Sequence, residues 1–169
     1  RKLDITEEIY FQIITNKTAS LIAAACATGA ASTSNDAELI EKMRLIGEHI
    51  GIAFQIKDDL FDYGENDIGK PRGIDIKERK MTLPLIYTLN QANKKEKKWI
   101  INIVKNHNED KIKVQELIEF VNSKGGIQYS IDTMNSYKQK AFDLIDTIED
   151  SEAKEGLIDL VNYITERNY

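Results

Sequence analysis

The feature that most constrains the fold is a long helical pattern between residues 35 and 62. Asn35 and Glu38 have the spacing of a capping box, which predicts that a helix begins there. The apolar side chains of this stretch recur at intervals of three and four residues, as they do on the buried face of an amphipathic helix. They are Leu39, Met43, Ile46, Ile50 and Phe54. A helix of this length needs other elements to cover its apolar face.

The rest of the chain also favours helices. Two prolines and nine glycines are few break points for 169 residues. No segment shows the alternation of apolar and polar residues, flanked by turns, that is typical of a strand. We predict a single all-α domain over residues 1–169, with helices packed mostly antiparallel. Beside residues 35–62, the predicted helices span residues 6–28, 94–105, 113–123, 127–148 and 152–163, and one more begins at Thr82 or Leu83 and runs through Leu89.

Composition and charge exclude several classes of protein. A net charge of -5 argues against broad nucleic-acid binding, which needs a basic face. The longest apolar run, residues 21–31, is shorter than the roughly 20 residues that cross a bilayer, so we expect no integral membrane segment. Cys26 is the only cysteine and lies among alanines. We therefore interpret it as a buried, inert thiol and expect a reducing, cytoplasmic location.

An acidic cluster stands at the predicted end of the long helix. Asp58, Asp59 and Asp62 lie within the sequence FQIKDDLFD, although carboxylates are unfavourable near a helix C-terminus. In a helix Asp58 and Asp62 share a face and Asp59 borders it. Such a set of hard oxygen donors suits Mg²⁺, with Mn²⁺ as the alternative ion. The other interpretation is a solvated acidic helix end, but the apolar residues within the cluster indicate that it borders a core.

A basic segment follows the acidic cluster. Residues 63–79 contain three glycines, a proline and many charges, which predicts a surface loop. Metal-holding carboxylates beside cations form a site for a polyanion such as diphosphate. Lys17 and Thr18, a polar pair within an apolar helix, are a second candidate, although a single lysine there is also typical of a surface side chain. The cations that follow the acidic cluster within about twenty residues are Lys70, Arg72, Lys77, Arg79 and Lys80.

These residues resemble a known family. FQIKDDLFDY followed by GKPRGIDIKERKMTLPL is similar to the second aspartate-rich region of the trans-type polyprenyl diphosphate synthases, which include octaprenyl-type enzymes. Tyr10 and the segment NKTASL resemble the family's lysine–threonine segment, and GGI and YITERNY resemble its C-terminal helices. The positions that match the aspartate-rich region are Phe54, Gln55, Asp58, Asp59, Asp62, Gly69, Lys70, Gly73, Asp75, Lys80, Thr82, Pro84 and Leu85.

The resemblance implies a fold and an activity. The fold is an antiparallel all-α bundle of the isoprenoid synthase type, usually found as a homodimer, and this chain would be a partial, C-terminal bundle. The activity is the condensation of isopentenyl diphosphate with an allylic prenyl diphosphate to a linear trans-polyprenyl diphosphate, with Mg²⁺ as cofactor. This reaction belongs to isoprenoid biosynthesis.

The resemblance also implies roles for individual residues. Asp58, Asp59 and Asp62 correspond to metal ligands. The predicted diphosphate contacts are Lys17, Lys70 and Lys80. Thr18 and Gln55 correspond to residues that line the allylic end, near the developing cation, and Asp75 to one that steadies the loop. The predicted catalytic residues are therefore Lys17, Thr18, Gln55, Lys70 and Lys80.

One part of the family pattern is not found in this sequence. The family carries a first aspartate-rich motif with paired arginines, whereas Asp143, Asp146 and Asp150 lack an adjacent pair and read as a solvated helix face. We therefore expect this chain to be the C-terminal half of a synthase, inactive alone. Two alternatives stay open: a non-catalytic helical subunit or scaffold of a prenyl synthase, and a class I terpene cyclase. The lysine-rich loop and KMTLPL argue against the cyclase.

Overall fold

The computed structural model describes residues 5–64 and 72–166, and within these ranges every regular element is helical. The all-α prediction is therefore confirmed. Lys70 lies outside the described residues. None of the helices in the described ranges combines the length and the apolar character that a membrane span requires. The helices are α1 Glu7–Ile14, α2 Ser20–Ala31, α3 Ala37–Phe61, α4 Ile74–Lys77, α5 Leu83–Gln91, α6 Lys94–Asn106, α7 Lys111–Ser123, α8 Gly126–Ile145 and α9 Glu152–Glu166, with a π-helical turn, Thr15–Ala19, between α1 and α2.

Several helix ends differ from the predicted ones for local reasons. The cap of α3 is Asp36 rather than Asn35, because its Oδ1 accepts the backbone N–H groups of Glu38 and Leu39. The first predicted helix runs past Gly29 to Ala31, since the alanines that follow Gly29 favour helix. The predicted loop of residues 63–79 contains the short helix α4.

The described residues form two compact units. The first comprises residues 5–10, 58–64 and 72–131, and in it α5, α6 and α7 contact one another. Ile86, Ile100, Leu117 and Val121 are among its fully buried side chains. Helix α8 begins at Gly126, where a β-carbon would come within 2.5 Å of the Pro84 carbonyl oxygen, so α8 can start there only with glycine.

The second unit comprises residues 11–57 and 132–166. Its core is a cluster of buried side chains from α3, α8 and α9. Helix α3 also crosses α2 and the π-turn at a very short backbone distance. A β-carbon at Gly51 would lie 2.5 Å from the Cα of Ala19, and one at Gly47 would lie 2.7 Å from the carbonyl oxygen of Ile22. The two glycines thus allow the helices to touch backbone to backbone. The buried members of the core cluster are Ile46, Ile50, Ala141, Ile145 and Val161.

Candidate active site

The acidic cluster lies at the end of α3, but its last member leaves the helix. Helix α3 ends at Phe61, one residue earlier than predicted, because the final turn tightens. The N–H of Asp62 donates to the carbonyl of Asp59 at 3.2 Å, and that of Tyr63 to the carbonyl of Leu60 at 3.1 Å. Both are bonds to the third preceding residue, as in a 3₁₀ turn. Asp58 is exposed, whereas Asp62 is 7% exposed, so the face that a continuous helix would give them is not formed.

The carboxylate of Asp62 accepts a hydrogen bond from the N-terminus of α4. Both of its carboxylate oxygens lie 3.2 Å from the backbone nitrogen of Asp75, and its carbonyl accepts the N–H of Gly73 at 3.2 Å. Gly73 has a φ of 74°, and a β-carbon there would collide with Val114, so the turn into α4 requires glycine. Burial raises the pKa of Asp62 to about 6, although the N–H of Asp75 opposes that shift.

Asp59 joins three helices through one carboxylate oxygen. Its Oδ2 accepts the hydroxyl of Tyr10 in α1 at 2.8 Å and the N–H of Leu83, the first residue of α5, at 3.2 Å. Burial raises the pKa of Asp59 to about 7, and the charges of Asp75 and Asp58 act in the same direction, while the two hydrogen bonds lower it. Burial and the neighbouring Asp59 in turn raise the pKa of Tyr10, which keeps this phenol protonated.

These contacts explain why the sequence tolerates acidic side chains at a helix C-terminus. The carboxylate of Asp62 meets the N-terminus of α4, and that of Asp59 meets the N-terminus of α5. A helix N-terminus carries partial positive charge and favours a carboxylate. The unfavourable position at the end of α3 is therefore offset by two other helices.

A buried hydrogen bond that the sequence did not predict ties the same segments together. The hydroxyls of Tyr63 and Thr82 lie 2.6 Å apart, and both side chains are buried. Thr82 precedes α5 but makes no side-chain bond to that helix, since its hydroxyl faces Tyr63. A tyrosine directly after the acidic cluster is the sequence signal that could have suggested such a bond, because the hydroxyl of a tyrosine that becomes buried usually finds a hydrogen-bond partner.

Lys80, a predicted diphosphate contact, is paired with carboxylates in this structure. Its Nζ lies 2.9 Å from Asp75 Oδ1 and 2.8 Å from Glu78 Oε2, and its side chain is 44% exposed. The hydrogen bonds to Glu78 and Asp75 raise the pKa of Lys80. Both pairs lie at the surface, where an ion pair contributes little to stability. A polyanion could therefore displace them at small cost.

Lys17 and Thr18 lie in the π-turn of the second unit. The turn is closed by a bond from the N–H of Ser20 to the carbonyl of Thr15, five residues earlier. Lys17 is exposed, Thr18 is half-buried and Ala19 is fully buried. Single π-turns are frequent at functional sites because they displace side chains from the helical register. Gln55, the remaining predicted site residue, is half-buried on α3 one turn before Asp58.

The acidic cluster can contribute to a metal site without forming a complete cage. Within residues 5–64 and 72–166, no three side chains of the metal-binding types come together. Mg²⁺, however, usually binds proteins through one or two carboxylates, with waters and substrate phosphates as further ligands. Asp58 is exposed, and Asp59 has a second oxygen beside the bonded one. These donors fit an ion that is shared with a diphosphate.

The raised pKa of Asp59 makes stability depend on pH. A folded pKa of about 7 lies above the ordinary value of about 3.9, so the folded chain binds more protons between these values. The free energy of unfolding therefore falls as pH rises through this window. We expect Asp59→Asn, which keeps an oxygen for Tyr10 and Leu83, to raise the free energy of unfolding at pH 8 on the order of 2 kcal/mol.

Urea unfolding of the purified chain at pH 5 and pH 8 measures this effect. The gain from Asp59→Asn should shrink at pH 5, where the wild-type carboxyl is protonated. The matched control is Asp58→Asn, an exposed neighbour, which should change stability by less than about 0.5 kcal/mol at either pH. A loss of stability at pH 8 in Asp59→Asn would contradict the expected sign.

Comparisons with known proteins point to one family. The sequence profile described as Polyprenyl synthetase matches residues 1–121. A short chain isoprenyl diphosphate synthase of Methanothermobacter thermautotrophicus is 35% identical over 170 residues, which cover 99% of this chain and 52% of that protein. The chain thus spans about half the length of the curated relatives that it matches.

Two solved structures are similar over nearly the whole chain. The geranylgeranyl pyrophosphate synthase of Bacteroides thetaiotaomicron is 38% identical, with a TM-score of 0.88, over 98% of this chain and 55% of that one. A polyprenyl synthase of Caulobacter crescentus, complexed with calcium and isoprenyl diphosphate, is 28% identical, with a TM-score of 0.89, over 99% of this chain and 52% of that one.

Proposed function

Since the chain belongs to the polyprenyl synthetase family, we propose that it serves in a prenyltransferase that condenses isopentenyl diphosphate with an allylic diphosphate to a linear trans-polyprenyl diphosphate. We propose further that it is the C-terminal half of the complete synthase, by which we mean this chain preceded by a first aspartate-rich motif. Mg²⁺ as the ion and a homodimeric assembly belong to the same proposal and rest on the resemblance, whereas a cytoplasmic location rests on the single cysteine of the sequence.

The observation that carries the proposal is the folding of the acidic motif together with the segment that follows it. The carboxylates of Asp59 and Asp62 accept backbone N–H groups at the N-termini of α5 and α4. Lys80 lies on the turn between those two helices. Carboxylates and a basic side chain thereby belong to one connected structure. That arrangement supports a site for a metal-bound diphosphate.

Asp58, Asp59 and Asp62 would hold the metal, with Asp58 as the exposed donor. When bound, Mg²⁺ would stabilise the negative charge that develops on the leaving diphosphate. Lys80 would leave its surface pairs and donate to the diphosphate oxygens, and the resemblance implies the same role for Lys70 and Lys17. Thr18 and Gln55 would turn their oxygen dipoles toward the allylic cation.

We expect the 169-residue chain alone to be inactive and the complete synthase to be active. The chain offers one of the family's two acidic motifs. The carboxylates of a single motif should hold a metal diphosphate too weakly for turnover. The measurement is product analysis with isopentenyl diphosphate, an allylic starter and Mg²⁺, on both proteins. Prenyl transfer by the purified chain would refute the proposal that it is an inactive half of a synthase. A cyclic product from the complete synthase would favour the terpene cyclase.

One observation favours a second candidate function. Asp59 and Asp62 already accept hydrogen bonds within the protein, so both have structural partners without a metal, as a non-catalytic subunit would require. The scaffold function would be supported if the complete protein showed no prenyl transfer of its own but a catalytic partner protein needed it for activity.

A further inference from the structure

The contact between Tyr10 and Asp59 has the properties of a specific tie rather than incidental packing. Tyr10 is 4% exposed, and its hydroxyl donates to Asp59 Oδ2 at 2.8 Å. The two residues are 49 positions apart in sequence. The bond therefore links α1 to the last turn of α3.

The tie fixes the last turn of α3. The oxygen of Asp59 that binds Tyr10 also binds the N–H of Leu83, so α1 and α5 hold the same carboxylate oxygen. Neighbouring residues of a helix point about 100° apart. With Asp59 held on the inner side, the adjacent Asp58 is directed outward, and it is exposed.

We propose that Tyr10 is a positioning residue of the acidic motif, which acts through Asp59 to hold the carboxylates of α3 in the orientation that binds a metal diphosphate. This rests on the proposed function. Tyr10 itself touches neither metal nor substrate in this scheme. Its loss would leave Asp59 with the Leu83 N–H as its partner and would loosen the orientation of the motif. Partners of this kind typically change metal affinity by about 10- to 100-fold.

The test compares Tyr10→Phe with a matched control in the complete synthase. The control is Tyr129→Phe, because the Tyr129 hydroxyl also donates to a carboxylate on α1, that of Glu7, at 2.5 Å. Its ring stacks on Tyr87, and phenylalanine keeps that contact. Both variants therefore remove one phenol–carboxylate bond that involves α1 and keep the aromatic ring.

The first readout needs no turnover. Free Mn²⁺ is measured by electron paramagnetic resonance in the presence of inorganic diphosphate, and subtraction of the Mn²⁺ that diphosphate binds without protein gives the dissociation constant of the protein-bound ion. We expect Tyr10→Phe to raise that constant by at least tenfold and Tyr129→Phe to change it by less than twofold. The second readout is the Mg²⁺ concentration at half-maximal prenyl transfer. In Tyr10→Phe this concentration should rise by a larger factor than the factor by which kcat at saturating Mg²⁺ falls.

The outcomes separate the inference from the proposed function. A wild-type synthase that neither binds Mn²⁺ with diphosphate nor transfers prenyl groups would refute the function. The positioning role alone would be refuted if the wild type did both and Tyr10→Phe had the same Mn²⁺ dissociation constant and the same Mg²⁺ requirement as the wild type or as Tyr129→Phe. Thermal unfolding of both variants is recorded in parallel, and a Tyr10→Phe protein that fails to fold would assign Tyr10 to structure and also overturn the inference.

Discussion

Alanine at position 58 is expected to lower the kcat of prenyl transfer by the complete synthase by roughly 100- to 1000-fold, the range for removing one group that stabilises developing charge. Asp58 is the exposed carboxylate of the motif, so its removal would take away a proposed metal donor with little effect on packing. We therefore expect the thermal midpoint to stay close to that of the wild type. The measurement is steady-state kinetics at several Mg²⁺ concentrations, because loss of a ligand should also raise the Mg²⁺ requirement.

Asp146→Ala provides the matched control. Asp146 is also an exposed aspartate, and it directly follows α8 in the acidic line that we interpret as a solvated face. Its replacement should leave kcat within twofold. If Asp58→Ala and Asp62→Ala both kept Mg²⁺-dependent transfer, the assignment of the acidic motif as the metal site would fail.

Alanine at position 51 is expected to lower the free energy of unfolding by about 1–3 kcal/mol, the usual effect of overpacking. The new methyl group would lie 2.5 Å from the Cα of Ala19, and a backbone atom cannot move aside as the end of a flexible side chain can. Helix α3 would have to shift away from the π-turn. The measurement is urea unfolding of the purified chain, with the midpoint and slope determined together.

Gly29→Ala tests whether this loss comes from the crossing. Gly29 is also helical, in α2, and a β-carbon there would meet no atom within 4 Å in the described structure. Alanine is the better helix former, so this variant should gain about 0.5–1 kcal/mol. Opposite signs for the two glycines would support the backbone contact, and equal effects would contradict it.

The sequence predicted what depends on local pattern. The apolar period placed the long helix at residues 35–62, and the structure has it at Ala37–Phe61. Asn35 and Asp36 are adjacent residues with similar capping preference, so spacing alone could not choose between them. The acidic motif and the segment up to Leu85 identified the family because both depend on residue type and order.

What the sequence did not predict depends on partners that are distant along the chain. Asp62 leaves the helical register because the N–H of Asp75, thirteen residues later, binds its carboxylate. The π-turn at Lys17 lies where Ala19 meets Gly51, and that contact joins residues more than thirty positions apart. The helical period carries no information about such contacts, since it describes one element at a time.

The hydrogen bonds of Asp59 and Asp62 bear on how such a motif persists in evolution. Selection for the folded state alone would retain an oxygen acceptor at positions 59 and 62, because backbone N–H groups at the starts of α5 and α4 donate there, but it would not require a negative charge at position 59. Under the proposed function, a descendant without catalysis would thus keep acceptors at these two positions for as long as it kept the two helices. Asp58 is exposed at the end of α3, so under the proposed function a change at position 58 would be an early mark of a paralogue that has ceased to be an enzyme.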